Sequence, residues 1–165
     1  MSFAGLYHVG IVVPDIEAAR QHFTDVLGVA WGPIVLTEAV EVRDGDGNDR
    51  VLPSRICYSS SAPHLELIEE QAGTPWVCNE HSNLHHIGFF SDAVAADSAG
   101  ISAAACPLEL AGRQGAESPT GFVYHRDPLG VRIELVDAAQ RSLMEEHFFR
   151  AQAVDEVFFP PTAPA

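Results

Sequence analysis

The sequence predicts an α+β fold built from two copies of a β-α-β-β-β module, followed by a C-terminal helix. Three observations lead there. Leu6-Tyr7-His8-Val9-Gly10-Ile11-Val12-Val13-Pro14-Asp15-Ile16-Glu17-Ala18-Ala19 can be laid over Leu84-His85-His86-Ile87-Gly88-Phe89-Phe90-Ser91-Asp92-Ala93-Val94-Ala95-Ala96. Both copies read apolar residue, His, apolar residue, Gly, apolar run, then Asp and a helical stretch, which marks an internal repeat. A second pair, His64-Leu65-Glu66-Leu67-Ile68-Glu69 and Arg132-Ile133-Glu134-Leu135-Val136-Asp137, closes each half. Finally, 165 residues with 47% hydrophobic and 19% charged content suit one globular domain with its own core. The domain spans 1–165, with modules at 4–72 and 82–138 and a C-terminal helix and Pro-rich tail at 139–165. Gly73-Thr74-Pro75 opens the linker between the halves.

Each element has a local cause. Residues 6–13 form an apolar strand that Pro14-Asp15 ends. Asp15 can cap a helix over 16–27, with Ile16, Ala19, Phe23, Val26 and Leu27 as its apolar face and Gly28 as its stop. Residues 30–42 and 51–59 read as a hairpin, and 64–70 as a fourth strand. The second half repeats the order: strand 84–91, helix 92–100, and strands near 107–111, 121–126 and 131–137, with a turn at Asp127-Pro128-Leu129-Gly130. A helix over 138–152 follows, with Leu143, Met144, His147 and Phe148 on one face. The tail Phe158-Phe159-Pro160-Pro161-Thr162-Ala163-Pro164-Ala165 reads as loose or extended.

Charge narrows the partners. There are 23 acidic residues against 9 basic ones, for a formal charge of −14, and every fixed cation is an arginine. Nucleic acids and anionic membranes are excluded as partners, because both need clustered cations. Without lysine, Schiff-base chemistry is excluded too. No apolar run approaches the roughly 20 residues that cross a bilayer. Cys57, Cys78 and Cys106 lack C-x-x-C spacing and read as reduced thiols. Met1-Ser2-Phe3-Ala4-Gly5 has no export features, so a cytoplasmic location is expected.

Strand residues two apart share a face. His8 therefore faces the way of Gly10 and Val12, and His86 the way of Gly88 and Phe90. Glu66 and Glu134 sit on the last strand of each half. If a pseudo-twofold axis relates the halves, these four groups occupy equivalent places and can converge. Two imidazoles and two carboxylates make a mixed N/O site that suits Mn, Fe, Co, Ni or Zn. The glycine two residues after each His leaves space beside it, expected to admit a substrate.

These segments, together with Arg126-Asp127-Pro128-Leu129-Gly130-Val131-Arg132-Ile133-Glu134-Leu135, resemble the vicinal oxygen chelate superfamily. That superfamily includes glyoxalase I, methylmalonyl-CoA epimerase, extradiol dioxygenases and bleomycin/fosfomycin resistance proteins. The resemblance covers about residues 6–138. It implies modules that curl into a half-barrel mixed sheet around one divalent metal ion (Co, Ni, Mn, Fe or Zn), with His8, Glu66, His86 and Glu134 as ligands. Thr37-Glu38-Ala39-Val40-Glu41 is similar to the stretch of methylmalonyl-CoA epimerases that carries a catalytic base, which makes Glu38 a candidate beside Glu134.

The expected function is a metal-dependent epimerase or isomerase acting α to a carbonyl, on a small carbonyl or thioester substrate. The alternatives are a glyoxalase I-type lyase, a ring-cleaving dioxygenase, or a metal-free small-molecule binding or resistance protein. A CoA diphosphate suits the absence of lysine and the negative charge poorly, so small neutral or aromatic carbonyls stay open. A homodimer is expected, because the open edges of a half-barrel invite cover.

Among the remaining residues, Arg43–Arg50 reads as a polar hairpin turn rather than a calcium loop. His64 and Arg132 hold matching positions two residues before the glutamates. Tyr124 and His125 read as packing residues, His22, His81 and His85 as structural, and Trp31 and Trp76 as core.

Overall fold

Asp15 starts the first helix, its carboxylate accepting the Ala18 N–H at 2.8 Å, and Gly28 ends it at φ 69°. In the computed structural model, residues 5–152 and 157–160 are described. The first module comprises β1 (His8–Val13), α1 (Ile16–Leu27), β2 (Ile34–Asp44), β3 (Asp49–Tyr58) and β4 (His64–Glu69). The second comprises β5 (Leu84–Ser91), α2 (Val94–Ala103), β6 (Leu108–Gly112), β7 (Phe122–Arg126) and β8 (Arg132–Asp137). The fold is the α+β pair of β-α-β-β-β modules that the repeat implies.

The modules join twice, and each joint pairs equivalent strands. β1 runs antiparallel to β5, with His8 opposite Gly88 and Gly10 opposite His86. β2 runs antiparallel to β6, with Val42 opposite Gly112. Because β2 also pairs with β3, the curled sheet closes into a ring ordered β3-β4-β1-β5-β8-β7-β6-β2. No long open edge remains among the described residues, so the edge-covering reason for a homodimer falls away.

Apolar residues fill the ring on either side of its middle. Tyr7, Val35, Tyr58, Phe90 and Val136 pack at one end with Met144 and Phe148. Val12, Val42, Leu52, Ile68, Leu110 and Tyr124 pack at the other with Trp76. The helices cover the outside: α1 through Ile16, against Val13, Ile34 and Leu67, and α2 through Val94 and Ile101, against Val123 and Leu135.

Four local expectations need correction. Val26 and Leu27 are 62% exposed, because the contact stripe of α1 ends at Phe23, while Arg20 is buried and donates to the Gly32 carbonyl. α2 begins at Val94 rather than 92, because the Ser91 hydroxyl accepts the Ala93 N–H and donates to Asp97. The helix expected over 138–152 is a 3₁₀ turn (Ala138–Gln140), one α-turn (Arg141–Leu143) and a π-turn (Met144–Phe148). The π-turn is closed by Phe149 N–H to Met144 O, and it lets Phe148 stack on Tyr58 while Phe149 stacks on His64. The tail is not wholly loose: Val157–Phe158 form β9 beside β2, and Phe158 stacks on His147. The expectations for 1–4 and 161–165 lie outside the described residues.

The acidic hairpin is a polar turn, with the Asp44 carboxylate accepting the N–H groups of Asp46 and Asn48. The three cysteines are free thiols. No helix of the described residues is long and apolar enough to cross a membrane.

Candidate metal centre

Four strands deliver one side chain each to the middle of the ring. His8 comes from β1, Glu66 from β4, His86 from β5 and Glu134 from β8, and each is at most 5% exposed. Their ligand atoms all lie within 4.8 Å of one another. His8 Nε2 is 2.9 Å from Glu134 Oε2 and 3.3 Å from Glu66 Oε2. His86 Nε2 is 3.0 Å from Glu66 Oε2 and 3.3 Å from Glu134 Oε2, and the two Nε2 atoms are 2.5 Å apart. All four come from one chain.

The donor set fits a divalent ion. Both Oε2 atoms are buried, and their only neighbours of opposite character among the described residues are the two Nε2 atoms, which aim at the same point. Two buried carboxylates facing one another need cationic compensation, from the imidazoles or from an ion. Ligands about 2.0–2.2 Å from a shared ion are about 3 Å from each other, the spacing of the four nitrogen–oxygen pairs. Two carboxylates also balance a dication. The cluster could therefore hold a metal ion.

The glycines serve differently from the expectation. A Cβ on Gly10 would lie 2.6 Å from His86 Nε2 and closer still to its Nδ1 and Cε1. A Cβ on Gly88 would meet the His8 ring in the same way. The space beside each histidine is filled by the imidazole of the opposite half, not left for a substrate.

The electrostatics follow from burial and mutual contact. Burial alone would push the His86 imidazole down, but Glu134 and Glu66 outweigh it and hold it up at about 9. His8 is raised by the same carboxylates against the same burial. Burial opposes ionisation of Glu66 and Glu134, and the two histidines outweigh it, so both carboxyls lie below their ordinary range. Burial raises the Tyr7, Tyr58 and Tyr124 phenols, so these groups stay protonated around the centre.

Several neighbours escaped the sequence reading. The Tyr58 hydroxyl donates to Glu66 Oε1 at 2.6 Å, leaving Oε2 for the centre. Tyr124 packs against the His85 and His86 rings and accepts from the Trp76 indole at 3.4 Å. His85, read as merely structural, lies 2.9 Å from His86 between the Nδ1 atoms. The doublet His85-His86 set against Tyr7-His8 is the sequence feature that could have singled it out.

Other candidates lie elsewhere. Glu38 is exposed on β2, at the bulge between Thr37 and Val40, and is not one of the four. His64 bonds the Ser59 carbonyl at 2.6 Å, and Arg132 pairs with Glu109, so neither joins the centre. His125 packs under α2 between the Ser98 hydroxyl and the Cys106 carbonyl. A cavity of about 370 Å³, lined by Tyr7, His64, Phe90, Arg141 and Phe149, lies one ring from the centre. The Tyr7 ring separates it from His8, at a centroid distance of 4.2 Å.

A closed pair of β-α-β-β-β modules with two histidines and two glutamates turned inward has the architecture of a vicinal oxygen chelate protein. The chain belongs to the Glyoxalase/Bleomycin resistance protein/Dioxygenase superfamily, whose family model matches residues 7–124. Glu134 lies beyond that match. Among solved structures, a Streptomyces coelicolor methylmalonyl-CoA epimerase variant bound to 2-nitronate-propionyl-CoA is similar at 19% identity. It covers 84% of this chain and 96% of its own, with a TM-score of 0.58. A hypothetical protein from Bacillus halodurans C-125 gives 14% identity, 81% and 93% coverage and a TM-score of 0.58. The methylmalonyl-CoA epimerase of Mycobacterium tuberculosis gives 21%, 86%, 92% and 0.50. At these identities the likeness is one of fold. No curated protein matches the sequence.

Proposed function

We propose that the protein is a metal-dependent epimerase or isomerase acting α to a carbonyl, with a divalent ion held by His8, Glu66, His86 and Glu134. The observation that carries this reading is the convergence of two buried carboxylate oxygens and two imidazole nitrogens on one point inside the ring. A bound ion would supply Lewis acidity that polarises a substrate carbonyl and acidifies the adjacent C–H. The chain's residues do the rest. Tyr58 steadies Glu66 by hydrogen bonding to Oε1. The Glu134 carboxylate takes the α-proton; an isomerase can return it from the same carboxylate, whereas an epimerase needs a second group on the opposite face. The buried aromatic rings on either side keep water from the centre. Methylmalonyl-CoA epimerases, which share the fold, make acyl thioesters the first substrates to try.

The test is elemental analysis of the purified protein, with α-hydrogen exchange followed in deuterated water. About one divalent ion per chain and exchange that ceases on chelation are expected. Exchange without metal, or a protein that stays metal-free after refilling, overturns the reading. Oxygen consumption would turn the assignment to a dioxygenase. Glu38 is the second proton-transfer candidate. In that role Glu38→Gln lowers turnover about 10²–10⁴-fold with metal content unchanged. Unchanged turnover excludes Glu38 from the step.

A further inference from the structure

The two central histidines have different neighbours behind them. In the first half, His8 follows Tyr7, whose ring packs edge-on against it, and His8 Nδ1 has no hydrogen-bond partner. In the second half, His86 follows His85, and their Nδ1 atoms are 2.9 Å apart. His85 Nε2 in turn lies 3.1 Å from the Pro75 carbonyl oxygen, in the linker between the modules. His85 is 7% exposed, its ring meets Tyr124 edge-on, and its carbonyl accepts from Arg132 at 3.3 Å.

With His85 neutral, one arrangement of protons satisfies this chain. A carbonyl oxygen only accepts, so His85 Nε2 carries the hydrogen. The neutral ring then has its lone pair on Nδ1. That lone pair takes the N–H of His86 Nδ1. Once His86 gives up its second proton, as a metal ligand must, its lone pair is thereby on Nε2, the atom that faces Glu66 and Glu134. An imidazole with its remaining N–H so engaged is held in both tautomer and orientation.

From this we infer that His85 is a positioning residue: anchored on Pro75, it holds His86 ready to bind a divalent ion through Nε2. The role rests on the metal reading proposed above. It also makes the two imidazoles unequal, since His8 has no such support.

The experiment compares wild type with His85→Phe and His85→Gln, titrating cobalt(II) against a chelator of known affinity. Phe fills the site but can neither accept nor donate; Gln can do both. Cobalt affinity is expected to fall about 10–100-fold in His85→Phe, the usual cost of losing such a partner, with much of it restored in His85→Gln. Circular dichroism of the metal-free proteins separates lost affinity from lost fold. Equal affinity in all three overturns the inference and leaves the metal reading standing. Wild type that binds neither cobalt nor zinc overturns the metal reading, and the inference falls with it. Nitrogen-15 NMR of zinc-loaded wild type needs no variant. A bare Nδ1 and a protonated Nε2 on His85 are expected, and the reverse pattern overturns the inference.

Discussion

Replacing Gly88 by Ala puts one methyl group where the His8 ring lies. The added carbon would be 2.6 Å from His8 Nε2 and closer to two other ring atoms, well inside contact distance. His8 is fully buried, so its ring cannot swing into open space. Relief must come from rotating His8 off the centre or from parting β1 and β5, which pair at this residue. Overpacking of this kind costs about 1–3 kcal/mol. At about 2–4 °C per kcal/mol for a chain of this size, the metal-free protein should melt about 2–12 °C lower. Losing an imidazole from the centre should weaken cobalt binding by more than the 10–100-fold typical of an outer partner. Gly10→Ala should act alike through His86, whereas Gly5→Ala, with nothing within 4 Å, serves as the silent control. Thermal unfolding and cobalt titration together read both effects. Wild-type melting and affinity in Gly88→Ala would refute the assignment of Gly88 as the site of the His8 ring.

Three further perturbations probe the surroundings. Tyr58→Phe removes the donor to Glu66 Oε1; a hydrogen bond to a charged group contributes about 1.5–3 kcal/mol, so a urea-unfolding loss below about 0.5 kcal/mol would count against that bond. Phe148→Ala empties a buried position at the ring mouth and should cost about 3 kcal/mol, whereas an unchanged melting temperature would mean the C-terminal turns do not pack there. Burial opposes ionisation of Glu109, but Arg132 and Arg126 outweigh it and hold its carboxyl down at about 2 against an ordinary 4.5. Its ionised form therefore stabilises the fold above about pH 4.5, and that contribution is lost as pH falls toward 2. Glu109→Gln should flatten the stability profile across that window, and an unaltered acid limb would exclude the pairing as its cause.

Much of the architecture is legible because the chain states it twice. The repeat gives the order of elements, Asp15 and Gly28 bound α1, and period-two faces point His8, Glu66, His86 and Glu134 the same way. Their meeting then follows from the symmetry of the two halves. Ring closure is not legible, since it depends on β2 extending far enough to pair Val42–Asp44 with Leu110–Gly112. That is a tertiary distance, and no local pattern encodes it. The C-terminal turns misled because a 3.6-residue period fits Met144 and Phe148, while Phe149 is drawn to His64 and widens the last turn. Glu38 stands out in the sequence by resemblance alone, and it lies exposed, outside the buried set. His85 reads only as structural in the sequence because its partner, the Pro75 carbonyl, is backbone and leaves no trace in residue types.

The glycine sockets have a consequence for how such a chain can be divided or copied. Each half provides a ring and, two residues on, the vacancy that the other half's ring enters, and the register at β1–β5 makes the exchange reciprocal. Neither half alone has a use for its own vacancy. Two identical copies of the first half, docked by the same antiparallel register, would still find every ring its socket and would present two histidines and two glutamates. The joint is thus a self-complementary coupling, compatible with a symmetric ancestor assembled from single modules. Severed halves expressed as separate chains would have the means to recognise one another at this strand.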